Sequence, residues 1–231
     1  MTATPAAPTT APAAALNPLQ QLRAGRLPRR LVQLYVGLVC YGGSMGLMIE
    51  SNLGLDPWDV LHYGITKHLP LTFGTVVIAT SFVVLLAWVP LRQWPGLGTI
   101  SNAIVIGLVT DLALSLLDRP DQLWLRIAFL AVGIVSNGFA TALYIGAQFG
   151  PGPRDGLMTG LVRRTGLSVR VVRTSIEVTV LAVGWLLGGL VGVGTVAYAL
   201  AIGPLVHHLL PYFDVRLRTD ADYPRGRRLG R

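Results

Sequence analysis

Hydrophobic positions in this chain come in long blocks, not in the one-sided stripes of a soluble domain. Six blocks, at about 31–50, 72–91, 97–117, 123–147, 169–188 and 192–211, are close to the roughly 20 apolar residues that a helix needs to cross a bilayer. Two polar segments interrupt them. One begins Leu55-Asp56-Pro57-Trp58-Asp59-Val60-Leu61-His62-Tyr63-Gly64, and the other runs Pro151-Gly152-Pro153-Arg154-Asp155-Gly156-Leu157-Met158-Thr159-Gly160. Each reads as a helix of roughly a dozen residues, covering about 18 Å against a hydrocarbon core near 30 Å. Neither is expected to cross the membrane alone.

The two segments are copies. Pro57 aligns with Pro153, Asp59 with Asp155, Leu61 with Leu157 and Gly64 with Gly160, always 96 positions apart. The same offset pairs Gly37 with Gly133, Gly42 with Gly138, Leu71 with Leu167 and Gly107 with Gly203. It also carries Gly96-Leu97-Gly98-Thr99 onto Gly192-Val193-Gly194-Thr195. An ungapped match of this kind predicts an internal duplication, roughly 31–117 against 127–213. The expected fold is therefore all-α: a polytopic helical membrane protein with about six transmembrane helices in two inverted three-helix repeats, and a short helix in each. The expected division is a disordered cytoplasmic tail at 1–30, membrane repeat one at 31–117, membrane repeat two at 118–213 and a basic cytoplasmic tail at 214–231.

Charge sets the expected orientation. With six spans starting inside, 16 of the 19 basic residues fall on the cytoplasmic side, and only Lys67, Arg119 and Arg126 fall outside. Three spans per half is odd, so the second half is inverted. If both short helices crossed, eight spans and parallel repeats would satisfy the charge rule too. Segment length and polarity favour six.

Composition agrees with the membrane reading. The chain is 52% hydrophobic and 13% charged, against about 25% charged in soluble domains. The net charge of +8 lies in tails and loops that flank apolar runs, so it reads as topology and not as a nucleic-acid surface. The Ala/Thr/Pro-rich first 20 residues have little to bury and lack the basic start of a signal peptide. The single cysteine, Cys40, excludes an internal disulfide and a cysteine-based metal cluster. No cofactor is expected. The expected partners are the lipid bilayer and a small polar or ionic solute; a homo-oligomer stays open.

The candidate chemistry starts with the short helices. Asp56 before Pro57 is a helix start: an acceptor at the cap, then a residue that lacks an N–H where none is needed. Asp59 then faces the positive end of the helix dipole. The plain reading is two capped interfacial helices. The functional reading is two half-membrane helices whose N-termini aim at one central site, as in inverted-repeat transporters. Asp56, Asp59, Arg154 and Asp155 are the candidate substrate-binding residues. Asp111, Glu177 and His207 are candidates for ion coupling, because ionisable groups inside spans are costly. Each has a plainer reading. Glu177 pairs with Arg173 four residues earlier, Asp111 is interfacial, and His207-His208 point about 100° apart on a helix, which is poor geometry for one metal. No catalytic constellation is present, so an enzyme is not expected. Gly-x-Gly-Thr is not followed by the Gly-Lys-Ser/Thr of a phosphate loop, so energy is expected from an ion gradient or an unlinked partner.

Gly54-Leu55-Asp56-Pro57-Trp58-Asp59-Val60-Leu61, Gly96-Leu97-Gly98-Thr99 and Gly150-Pro151-Gly152-Pro153-Arg154-Asp155-Gly156-Leu157-Met158 resemble the YczE/YyaS/YitT-type bacterial integral membrane proteins. The resemblance runs from about residue 31 to 211. It implies a multi-pass protein of the bacterial cytoplasmic membrane and supplies no substrate or site residues. The functional expectation is a secondary transporter of a small polar or ionic solute, with a non-transporting membrane scaffold or regulator as the alternative.

Overall fold

The computed structural model describes residues 21–22, 25–215 and 217. Most of the expected disordered tail at 1–30 lies outside the described residues, as does most of 214–231, but residues 27–30 belong to the first helix, where Arg30 is fully buried. Eight helices run through the described residues, with no strand among them: α1 Leu27–Ser51, α2 Pro57–Thr66, α3 Phe73–Trp88, α4 Leu97–Leu116, α5 Leu123–Gly146, α6 Pro153–Thr165, α7 Val169–Leu186 and α8 Val193–Phe213. Four of them, α1, α4, α5 and α8, are long and apolar enough to cross a membrane by length and composition. The third helices, α3 and α7, have 16 and 18 residues. Large apolar side chains such as Leu86, Leu116, Leu186 and Val193 stay exposed, as lipid-facing positions would.

Helices start at 27, 57, 73 and 97, and again at 123, 153, 169 and 193, a constant 96 residues later. The local causes repeat as well. Asn52 and Gln148 both adopt left-handed backbone with φ near 50–60°, and Gly54 and Gly150 take φ of 119° and 101°, which only glycine adopts without strain. Pro57 and Pro153 then open α2 and α6. Thr99 and Thr195 each accept a hydrogen bond from a glycine N–H three residues back, Gly96 at 3.1 Å and Gly192 at 3.2 Å. This closes the starts of α4 and α8.

The halves interlock. At the centre, α1 packs along α5, brought close by Gly37 and Gly133. Each first helix also packs on the fourth helix of its own half, α1 on α4 and α5 on α8. The short helices cross over: α2 lies on α7 and α6 on α3. The crossing is held by Gly98 N–H donating to Phe149 O at 2.9 Å and Gly194 N–H donating to Leu53 O at 2.8 Å, again equivalent pairs. Two arginines complete it. Arg30 donates to Ala147 O, Gln148 O and Gln21 O at 2.9, 2.9 and 2.6 Å, while its guanidinium lies 4.2 Å over the Phe149 ring. Its counterpart Arg126 donates to Ser51 O and Asn52 O, both at 2.7 Å. Each arginine thus satisfies carbonyls left bare at the end of the other half's first helix. The buried core lies along this central pair, with Leu34, Leu38, Met45, Met48, Leu130 and Ile134.

Candidate functional site

The crossover brings the N-termini of α2 and α6 to one cavity of about 210 Å³. Asp56, Pro57 and Trp58 line it from one half, and Gly152, Pro153, Arg154 and Asp155 from the other. Tyr41, Asn102, Thr141, Tyr144 and Tyr198 add hydroxyl and amide groups from the long helices, and Arg173 and Glu177 come from α7.

Asp56 works locally as a cap: its Oδ1 accepts from Trp58 N–H at 2.9 Å and Asp59 N–H at 3.2 Å. It is 3% exposed. One turn further, Asp59 is fully buried; its Oδ1 lies 3.1 Å from His62 Nδ1, and its Oδ2 has no hydrogen-bond partner among the described residues. Nε2 of His62 is 2.9 Å from Thr80 Oγ1, so both ring nitrogens are engaged. Arg154 reaches between the two carboxylates, 3.8 Å from Asp56 and 3.5 Å from Asp59, with its guanidinium 5.0 Å over the Trp58 ring. On the other wall, Asp155 accepts a 2.6 Å hydrogen bond from Tyr144 OH. The floor under α6 is Trp88, 1% exposed, whose Nε1–H donates to Pro153 O at 3.0 Å.

The structure brings Asp56, Asp59, Arg154 and Asp155 together, and adds Glu177. Glu177 accepts from Arg173 at 2.8 Å, as its spacing predicts, and both line the cavity. Asp111 and His207 stand apart from the lining. Asp111 bridges two helices, accepting from Gly74 N–H at 2.7 Å and from Thr72 Oγ1 at 2.5 Å. His207 is exposed on α8. Tyr41 and Tyr144 were not singled out by the sequence, because an aromatic residue inside an apolar run gives no sign of where its hydroxyl points. Among the described residues no cluster of His, Cys, Asp and Glu could hold a metal ion.

Equivalent seams of the two halves differ. Between α3 and α4, Gly74 and Gly107 lie so close that a methyl on either would overlap the other's carbonyl oxygen, and Asp111 straps the seam from above. At the matching positions between α7 and α8 stand Arg170, Gly203 and His207. There a methyl on Gly203 would meet nothing within 4 Å, and the two helices scarcely touch. The cavity lies against this open seam, with Arg173, Ile176 and Glu177 on one side and Tyr198, Ile202, Gly203 and Val206 on the other.

The model of a family of unknown function (DUF6198) matches residues 28–211. An uncharacterized protein of Haemophilus influenzae is 43% identical over 77% of this chain and 81% of its own length. The uncharacterized membrane protein YczE of Bacillus subtilis is 32% identical over 77% of this chain and 83% of its own. YyaS of the same organism is 28% identical over 78% and 91%. No solved structure matches the chain. The chain belongs to the DUF6198 family, and the membrane nature expected from its apolar blocks agrees with the name of its YczE relative.

Proposed function

We propose that this member of the DUF6198 family is a secondary transporter of a small polar or ionic solute, working by alternating access through the central cavity. In this reading it has six spans in two inverted halves, each carrying one short helix, and lies in the bacterial cytoplasmic membrane with both termini inside. The matching helix starts support the duplication. At 1.5 Å per residue, α3 and α7 measure about 24 and 27 Å, near the thickness of the hydrocarbon core.

The observation that carries the proposal is a cavity lined by both short-helix N-termini, with one seam closed and its counterpart open. In inverted halves, equivalent seams face opposite sides of the membrane. Asp111 and Gly74 lie toward the outer ends of α3 and α4, while Gly203 and His207 lie toward the inner part of α8. On this reading the cavity faces the cytoplasm here. If the halves exchanged conformations, the same residues would face outward. Asp59 and Asp155 with their helix N-termini form the central site. Glu177 assists coupling within the cavity, and Asp111 and His207 act at the two seams.

Two measurements test this. In a Cys40→Ser background, Ser81→Cys on the cavity wall should react with a membrane-impermeant thiol reagent from the cytoplasmic side and far more slowly from outside. Equal reaction from both sides would contradict alternating access. In vesicles supplied with radiolabelled methylammonium, acetate or glycine, replacing Asp59 and Asp155 together by Asn should abolish whichever flux the wild type supports. Unchanged flux would remove the site assignment.

A further inference from the structure

Trp58 and Arg154 occupy equivalent positions in the two copies of the motif, 96 residues apart, and their side chains meet where the halves cross. Arg154 therefore sits in a nest made by the other half: the Trp58 ring at 5.0 Å, Asp56 at 3.8 Å and Asp59 at 3.5 Å. An aromatic face with two carboxylates is the chemistry that holds an organic cation. Yet Arg154 is held loosely. Both separations, 3.8 and 3.5 Å, exceed a good hydrogen bond. Asp59 Oδ2, in a side chain that is fully buried, has no hydrogen-bond partner among the described residues. The structural arginines of this protein look different: Arg30 makes three hydrogen bonds of 2.9 Å or less, and Arg126 two of 2.7 Å.

We propose that Trp58, Asp56 and Asp59 form a site for a small organic cation of the ammonium or guanidinium class, which Arg154 fills when no solute is bound and leaves when one enters. This rests on the transport reading of the cavity and names its substrate class. The cavity beside Arg154 gives its side chain somewhere to go, and Asp155 and Glu177 on that wall offer a carboxylate at the other end. Charge points the same way. Among the described residues around the site, the carboxylates of Asp56, Asp59, Asp155 and Glu177 stand with two guanidinium groups, Arg154 and Arg173. An added cation is balanced there, and an added anion is not.

The test is direct binding, so it does not depend on flux. The full chain in lipid nanodiscs is titrated calorimetrically with methylguanidinium and methylammonium, with acetate as the opposite charge. Wild type should bind the cations saturably and acetate not at all. Arg154 acts as a tethered competitor that lowers the fraction of empty sites. Arg154→Ala should therefore bind methylguanidinium about tenfold tighter or better, Arg154→Lys should stay near wild type, and adding Asp59→Asn to Arg154→Ala should abolish the gain. If Arg154→Ala does not fold, Trp58→Leu decides: binding should weaken about tenfold with an unchanged melting temperature. No gain in Arg154→Ala, no loss in Trp58→Leu, or acetate binding that depends on Arg154 would each overturn the proposal. Cation binding without flux would leave this site standing and remove transport. Flux of a neutral solute without cation binding would do the reverse.

Discussion

Asp111→Ala is the sharpest perturbation of the closed seam. The Asp111 carboxylate holds the start of α3 through two contacts, Gly74 N–H at 2.7 Å and Thr72 Oγ1 at 2.5 Å. Hydrogen bonds to a charged group contribute about 1.5–3 kcal/mol each when buried. This one is partly exposed, so about 1 kcal/mol apiece is the better figure, or about 2 kcal/mol for the strap. At about 1.4 kcal/mol per tenfold, that shifts the balance between closed and open seam by roughly 30-fold. The assay is the outside labelling rate of Ser81→Cys in the Cys40→Ser background, measured with an impermeant reagent. Asp111→Ala should raise that rate toward the roughly 30-fold limit. Asp111→Asn, which keeps an acceptor and loses the charge, should give a smaller rise. Labelling from the cytoplasmic side should fall only by the share of molecules that moves to the outward-open state, because the two openings exclude each other. A protein of unchanged melting temperature whose outside labelling does not move would refute the idea that this strap holds the outer seam.

Two further substitutions separate equivalent positions that the structure makes unequal. Gly107→Ala forces a methyl onto the Gly74 carbonyl, so it should lower stability in detergent by about 1–3 kcal/mol, the usual cost of overpacking, whereas Gly203→Ala meets open space and should leave the melting temperature within about a degree. Equal effects would contradict the asymmetry of the seams. Arg30→Gln removes three hydrogen bonds from a fully buried guanidinium and should cost about 3–5 kcal/mol, while Arg126→Gln, partly buried with two, should cost about half of that. A larger drop for Arg126→Gln than for Arg30→Gln in thermal unfolding would show that burial does not set the cost.

Much of the fold was legible because membrane helices announce themselves by composition, and the constant offset of 96 in the sequence returns in the helix starts. Asp56-Pro57 marked the start of α2 through ordinary capping chemistry, and the structure begins the helix there. Convergence of the two motifs on one cavity followed from reading both as half-helices with aimed N-termini. What was hidden falls into two kinds. Arg30 and Arg126 read as topology signals, since any arginine near the end of a span does; their partners are backbone carbonyls, which carry no residue identity. The difference between the seams was visible as Asp111 against His207 and Gly74 against Arg170, but those exchanges look like drift until it is known that Asp111 reaches across to Thr72 and Gly74. Tyr144 had no counterpart to flag it, because Met48 stands at the matching place.

The reciprocal arginine clamps also bear on how the chain is made. A ribosome delivers the halves in order, so α1 enters the bilayer with the carbonyls of Ser51 and Asn52 bare and must wait some 75 residues for Arg126. By contrast, α5 is born with its clamp ready, since Arg30 has long since emerged. The two clamps correspond in the finished fold but not during synthesis. The interval in which the first half stands alone is when the nascent chain depends most on water at the membrane surface, or on the insertion machinery, to shelter a helix end. Slowing translation just before codon 126 should lengthen that exposure, whereas a pause just after codon 30 should not.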